Sequence, residues 1–345
     1  MTEQTAEQQT QADISRMKEL AWGLTSTAAL VAAIDLRVAE ALDAGPRQCA
    51  DLAQQVEADP TTLQQLMDAL VSRDVFERRD DGTYEHNGLS RLLRQDDANS
   101  VAGIVKWIGY PELWRLWPRL TDAVREGKPQ SVEVYGKDFF RYIHEDEPQA
   151  AQALSNAMTG ASNHTSEQVA KSLDLSRSAT VADIGGGQGH LISTVLRANP
   201  HLRGTLLDLE GVVAEALPAL RSGGELADRA AVIGMDCRDD VPVEADVYLL
   251  KNILEWDDAS TLKTLQNVRR NARPGARVVV VETLTDRTPE PMVTTSLDLL
   301  LLVNVGGRKH SSQHVEELFT RSGIRFDSVR PTGTFLAMAE GTVTE

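Results

Sequence analysis

The chain has 345 residues, 41% of them apolar, and a formal net charge of −16. It is long enough for two domains with their own cores and apolar enough to fold, while the excess of acid argues against nucleic acid or an anionic membrane, which would want a basic face. Cys49 and Cys237 are far apart and in no metal-ligand spacing, so neither a disulfide framework nor a metal site is expected; with no apolar run of about 18 residues and no basic-then-apolar leader, a soluble cytoplasmic protein is.

The first dozen residues are polar and read as disordered. From Thr25 to Leu42 the spacing of Leu30, Ile34, Val38 and Leu42 predicts one helix with a single apolar stripe. Ala28, Ala29, Ala32, Ala33 and Ala39 keep its other surfaces thin, and Gly45-Pro46 ends it. Cys49 to Val56 and Pro60 to Val71 read as a helix pair, with Asp59 as N-cap before Pro60. Val75–Arg78 and Thr83–His86 flank Asp80-Asp81-Gly82, a hairpin signal. Helix, helix and hairpin form a winged-helix pattern, which first suggests a DNA-reading regulator. Yet residues 1–105 hold nine Lys/Arg against eighteen Asp/Glu, and the second helix offers Thr61, Thr62, Gln64 and Gln65 but no arginine. A dimerisation and substrate-lid role is favoured over DNA binding.

Residues 106–175 read as a helical, aromatic connector carrying Trp107, Tyr110, Trp114, Trp117, Tyr135, Phe139, Phe140 and Tyr142. These rings either pack on the next domain or line a pocket for a flat apolar substrate. His144 and His164 read as surface or core histidines. From 176 to 345 the pattern alternates strand and helix. The expected strands are Thr180–Ile184, Gly204–Asp208, Ala230–Ile233, Asp246–Leu250 and Arg277–Glu282, with helices such as Leu191–Ala198 and Ala259–Asn271 between them. This predicts an α/β fold, a Rossmann-like parallel sheet covered on both faces. Arg325–Val329 and Thr334–Ala339 suggest a closing hairpin.

The most informative stretch runs from Val181 to Gly189, Val-Ala-Asp-Ile-Gly-Gly-Gly-Gln-Gly. A strand ends in an acid and a glycine turn opens a helix, the place where α/β sheets bind nucleotide-like ligands. It is not the dinucleotide fingerprint, because His190 stands where G-x-G-x-x-G needs a small residue, and it lacks the Lys-Ser/Thr of a phosphate loop. The implied ligand is an adenosine without pyrophosphate, S-adenosylmethionine (SAM) first among them. Asp208 ends the second strand, where a carboxylate can accept both ribose hydroxyls. Asp236 after the third strand could accept from the adenine amine, with Cys237 on the ring face. Lys251 follows the fourth strand and could reach the same ligand.

The ordered set of Tyr135-Gly136-Lys137-Asp138-Phe139-Phe140, Ala157-Met158, VADIGGGQGHL, LLDLEGVV, Asp228-Arg229, LLKNIL with EWDD, RPGARVVVVE and VGGRK resembles the small-molecule O-methyltransferases, SAM-dependent enzymes of bacterial natural-product pathways related to plant phenolic methyltransferases. The resemblance implies an aromatic small-molecule substrate methylated at a hydroxyl, and a homodimer formed through the N-terminal domain. It implies cofactor contacts at Asp183, Gly185, Gly187, Asp208, Leu209, Asp236, Cys237 and Lys251. It places Tyr135 near the transferred methyl, with Trp107, Met158 and Asn304 on the substrate side.

A phenol of pKa near 10 is mostly protonated at neutral pH, so a base helps its methylation by about 10²–10⁴-fold. The family usually supplies a histidine in a Leu-His-Asp-Trp-type run, and a later acid after a Gly-Gly pair. Here the run is Leu254-Glu255-Trp256-Asp257-Asp258, one residue shorter and without histidine, and Lys309 follows Gly306-Gly307 where the acid often stands. Three explanations are open. Glu255 is the base, its pKa raised in an apolar pocket; or His310 reaches in; or proximity alone carries the reaction. An alternative function is a SAM-binding relative that has exchanged methyl transfer for hydroxylation, decarboxylation or rearrangement.

Overall fold

A computed structural model describes residues 3–97 and 99–345, apart from the side chains of residues 3–7, 159 and 161–164. The side chain of His164 therefore lies outside the described residues. The chain divides into two compact units, residues 1–113 and 114–345.

The first unit begins with a helix, Glu3–Ala21, where a disordered tail is expected. Gln9 bonds Asp13 and Arg16 pairs with Glu19 along it, contacts at helical spacing that a polar composition does not advertise. The expected helix Thr25–Leu42 is two helices, Gly23–Asp35 and Val38–Ala41. Arg37 between them is left-handed, with φ of 54°. The break offsets the second helix without moving its stripe off the core: Ile34, Val38 and Leu42 are all buried, among Leu52, Leu63, Met67 and Leu70. Periodicity cannot reveal a one-residue break that leaves the same face inward.

The helix pair is Cys49–Gln55 and Pro60–Val71. Asp59 caps the second, its carboxylate accepting from the N–H groups of Thr61 and Thr62 at 2.9 Å. Strands β1 (Phe76–Arg78) and β2 (Tyr84–His86) pair antiparallel. In their turn the Asp81 carboxylate accepts from the backbone and hydroxyl of Thr83 at 3.0 and 2.6 Å. Buried Phe76 and Tyr84 anchor the hairpin to the helical core.

The second unit is built on seven strands: β3 (Thr180–Ile184), β4 (Arg203–Asp208), β5 (Ala230–Gly234), β6 (Val247–Lys251), β7 (Arg277–Glu282), β8 (Ile324–Pro331) and β9 (Ala337–Val343). Their order is β5-β4-β3-β6-β7-β9-β8, with β9 antiparallel to β7 and to β8 and the other pairs parallel. Alternate residues enter different cores. Ala182, Tyr248, Leu250, Val278 and Val280 pack on one face, and Val181, Leu249, Val279 and Val281 on the other, as a sheet covered on both sides requires. The strand order reverses beside β3, the switch point at which such sheets open a crevice at their carboxyl ends. The second strand of the closing hairpin starts later than expected. Thr332 to Leu336 form the turn, with Gly333 at φ +80° and both the backbone N–H and the hydroxyl of Thr332 donating to the carbonyl of Leu336, so β9 begins at Ala337. The helical, aromatic stretch divides between the two units. Among the described residues no helix is long and apolar enough to cross a membrane.

Candidate active site

The carboxyl ends of β3, β4, β5 and β6 bring together Asp183, Gly185, Gly187, Asp208, Leu209, Asp236, Cys237 and Lys251. Strand β3 turns at Gly185, whose N–H donates to the carbonyl of Leu207 at 2.7 Å. Gly187 has φ of +61° and donates its N–H to the Asp208 carboxylate at 2.8 Å. A Cβ at Gly187 would meet open space, so its glycine is needed for its dihedral rather than for want of room.

Asp208 also accepts from the N–H of Leu209 at 2.7 Å. Burial raises its pKa, against the pull of these two N–H groups. A carboxylate has about four acceptor positions, so capacity remains for hydroxyls. Asp236 is held by Arg238, whose guanidinium reaches it at 2.7–3.1 Å and whose N–H donates at 2.8 Å. Burial acts to raise its pKa, but Arg238 outweighs burial and the net shift is downward. Arg238 also lies 5.4 Å from the centre of the Trp256 ring. Sequence reasoning missed it, although an arginine two residues past a strand-end acid is a visible signal. The Cys237 thiol is buried and pushed up to about 12 by burial and by the Asp236 and Asp208 charges; it is a neutral, apolar contact.

Asp183 is fully enclosed. One oxygen accepts from Ile192 N–H at 3.2 Å and the other has no partner. Burial pushes its pKa up to about 7, opposed chiefly by the Lys251 charge. Burial lowers the pKa of Lys251, opposed by the charges of Asp183 and Glu255.

The surroundings of Glu255 differ from expectation. The apolar pocket holds an ammonium: Lys309 forms an ion pair with Glu255, with side chains 2% and 16% exposed. Behind them lies Glu282, the last residue of β7 and fully buried. One of its oxygens accepts from Leu254 N–H at 3.1 Å and the other has no partner. Burial, then the Glu255 charge, raise the pKa of Glu282 against the pull of Lys309. Glu282 was missed because a strand-end acid in an apolar run reads as surface.

His310 does not reach into open space. It is 1% exposed, donates from Nε2 to the Leu254 carbonyl at 2.6 Å and stacks on His314 at 4.9 Å. Burial pushes its pKa down to about 4. The Gly306-Gly307 pair has two distinct tasks. Gly306, at φ +69°, ends the helix Pro291–Val305. Gly307 lies against the Glu255 carbonyl, where a Cβ would overlap that oxygen.

Of the expected substrate residues, Asn304 is buried with an unpartnered Oδ1. Tyr135 stacks on Tyr142 at 4.1 Å. Met158 is 43% exposed on the helix Pro148–Ser172, one turn beyond Ser155, whose hydroxyl accepts from Gln188 of the glycine turn at 3.2 Å. Trp107 belongs to the first unit, buried with its ring 6.0 Å from Tyr110.

Residues 117–325 match the model of the O-methyltransferase domain, and residues 18–96 that of the O-methyltransferase dimerisation domain. The chain is 36% identical to the mitomycin biosynthesis 6-O-methyltransferase of Streptomyces lavendulae, over 92% of this chain and 90% of that one. Among solved structures it resembles mitomycin 7-O-methyltransferase at 34% identity and a TM-score of 0.89, covering 98% of this chain and 100% of the other. It also resembles an O-methyltransferase from neocarzinostatin biosynthesis, solved with SAM and 2-hydroxy-5-methyl naphthoic acid, at 27% identity and a TM-score of 0.77, covering 92% and 96%.

The buried His310 sets a pH dependence. Its imidazole ionises near its ordinary value in the unfolded chain but only near about 4 when folded, so between these values the unfolded state binds the extra proton and stability falls as pH falls. Replacing His310 by Gln, which keeps a donor for Leu254, should flatten this loss by up to about 3 kcal/mol, checked by urea unfolding across that range; an unchanged slope would show the ring to be protonated when folded.

Proposed function

The chain belongs to the O-methyltransferase family, and from that premise we propose that its glycine crevice holds SAM and presents the methyl to an aromatic hydroxyl positioned by Glu255. It is a SAM-dependent O-methyltransferase. When bound, SAM supplies a methyl carbon already activated by a sulfonium. The observation that carries the cofactor assignment is the bond from Gly187 N–H to Asp208, at a turn that opens onto free space. Asp183, Gly185, Gly187 and Lys251 frame the amino-acid end. Asp208 and Leu209 take the ribose, and Asp236 and Cys237 the adenine, Asp236 with its Arg238 partner beside it. The acceptor is an aromatic intermediate of a natural-product pathway, lodged near Tyr135, Met158 and Asn304 of the second unit.

The acceptor oxygen forms its bond to the methyl carbon as the carbon–sulfur bond breaks and its electrons pass to sulfur. The hydroxyl proton goes to the Glu255 carboxylate and from there to water. His310 is a support beneath this loop rather than the base, because its ring is enclosed and its Nε2 is engaged by Leu254.

We further infer that the enzyme works as a homodimer in the cytoplasm. Ile14, Met17, Leu20, Trp22 and Leu24 are 43–66% exposed at the start of the first unit, overlapping the matched dimerisation domain. Contiguous exposed apolar side chains of this kind mark an interface, and the occupant is a second copy of this chain.

Incubation with SAM and a panel of naphthols, hydroxynaphthoic acids and hydroxyquinones should yield S-adenosylhomocysteine and a methyl ether; SAM binding with no ether from any acceptor would oppose the hydroxyl assignment. Asp208→Ala should weaken SAM binding at least about tenfold by calorimetry, since it removes the partner of two hydroxyls; unchanged affinity would refute the ribose contact. The double substitution Leu20→Arg, Trp22→Glu should convert a dimer into a folded or partly unfolded monomer in sedimentation, whereas an undiminished dimer would place the interface elsewhere.

A further inference from the structure

The charged groups at the carboxyl ends of β3, β6 and β7 alternate in sign: Asp183, Lys251, Glu255, Lys309 and Glu282. Lys251 feels both Asp183 and Glu255. Lys309 is ion-paired with Glu255 and almost completely enclosed, and its charge also acts on Glu282. The buried ammonium is bonded to Glu255, and its charge also reaches Glu282. Glu282 has an oxygen without a partner, while Glu255 keeps some exposure.

The other charged groups around this loop are engaged elsewhere. Asp257 caps the helix Asp258–Asn271, and Asp258 pairs with His314 at 3.1 Å and with Arg308 at 3.7 Å. The Asp298 carboxylate accepts from the backbone N–H of Lys309, and His310 donates to Leu254.

We propose that Lys309 is a positioning residue that keeps Glu255 ionised and oriented beside Glu282, so that Glu255 and not Glu282 is the free acceptor for the hydroxyl proton. This rests on the reading of Glu255 as the base. Two carboxylates sharing one enclosure cannot both ionise without a compensating cation. With Lys309 present, the ion pair holds Glu255 oriented to accept. Without it, one proton is shared between Glu255 and Glu282 at neutral pH, the pair titrates as a unit, and the base is lost until the solution is made alkaline. Removal of Glu282 relieves the same repulsion from the other side. The ammonium also explains how a carboxylate can replace a neutral imidazole here: it holds the proton acceptor by a charge-assisted bond, as an acid holds an imidazole.

The test compares Lys309→Met, Lys309→Arg, Glu282→Gln, Glu255→Gln and the double variant Lys309→Met/Glu282→Gln. Two readouts are used. One is the pH-difference infrared titration of the protein without acceptor, with the Glu255 carboxylate band assigned by its loss in Glu255→Gln. The other is the pH profile of kcat/KM with the best acceptor of the naphthol, hydroxynaphthoate and hydroxyquinone panel. Lys309→Met should move the Glu255 midpoint and the acid limb upward by about three units, so that activity reduced about tenfold near pH 6 to 7 recovers toward pH 9. Lys309→Arg should stay near wild type, and the double variant should return toward it. An unmoved midpoint in Lys309→Met, an equal loss at every pH, or no recovery in the double variant would overturn the proposal. If Lys309→Met no longer binds SAM in calorimetry and so has lost its fold, Glu282→Gln decides alone: its Glu255 midpoint falls if the two carboxylates share the enclosure, and stays put if they do not. Full kcat/KM in Glu255→Gln at all pH would remove the base reading, while the infrared midpoints would still decide whether Lys309 governs Glu255.

Discussion

The loop that carries Glu255 depends on how the backbone of Leu254 is held. Its N–H donates to Glu282 at the end of β7, its carbonyl accepts from His310, and the next carbonyl, that of Glu255, presses on Gly307. Three contacts from two segments fix a loop that has no regular structure of its own. Asn252 enters it with a left-handed φ of 54°, a conformation that costs about 1–3 kcal/mol and persists only where neighbours overdetermine it. The side chain of Glu255 is placed by this frame rather than by its own rotamer freedom. A reacting group must be held in such a frame for alignment to contribute to methyl transfer.

The cofactor side follows a different logic. There the backbone itself makes the surface, and side chains serve to hold it. Asp208 binds the N–H groups of Gly187 and Leu209 and so ties the glycine turn of β3 to the end of β4. Asp183, enclosed beneath the same turn, bonds the first turn of the helix His190–Ala198. Both acids are raised by burial, so each carries a cost that its hydrogen bonds only partly offset.

Much of this was legible in the chain. The strand–turn–helix at Asp183 to Gly189, the acid at Asp208 and the sheet strands stand in the sequence as apolar runs punctuated by acids and glycines, and local chemistry suffices to place them. The break at Arg37 was not legible, because the apolar stripe survives it. Neither was the late start of β9, since Thr334-Phe335-Leu336 alternates like a strand while Gly333 still turns the chain. The largest gap concerned Glu255. The sequence displays an acid where a histidine is expected and a lysine where an acid is expected, as two unrelated departures. Only the fold, which brings residues 54 positions apart into one ion pair, turns them into one.

That pairing changes what the departures mean. An imidazole held by a carboxylate and a carboxylate held by an ammonium are both a proton acceptor fixed by a partner of matching charge. The two arrangements differ in sign order, not in principle. Burying the second arrangement has no evident stabilising purpose, since the desolvation of an ion pair commonly equals or exceeds its attraction and well-packed apolar residues serve a core as well or better. Lys309 and Glu282 are nevertheless nearly inaccessible, and they lie at the carboxyl ends of the strands, where this class of sheet does its chemistry. Charge that a core does not need, placed beside the partly open Glu255, fits the proposed reaction better than it fits a purely structural role.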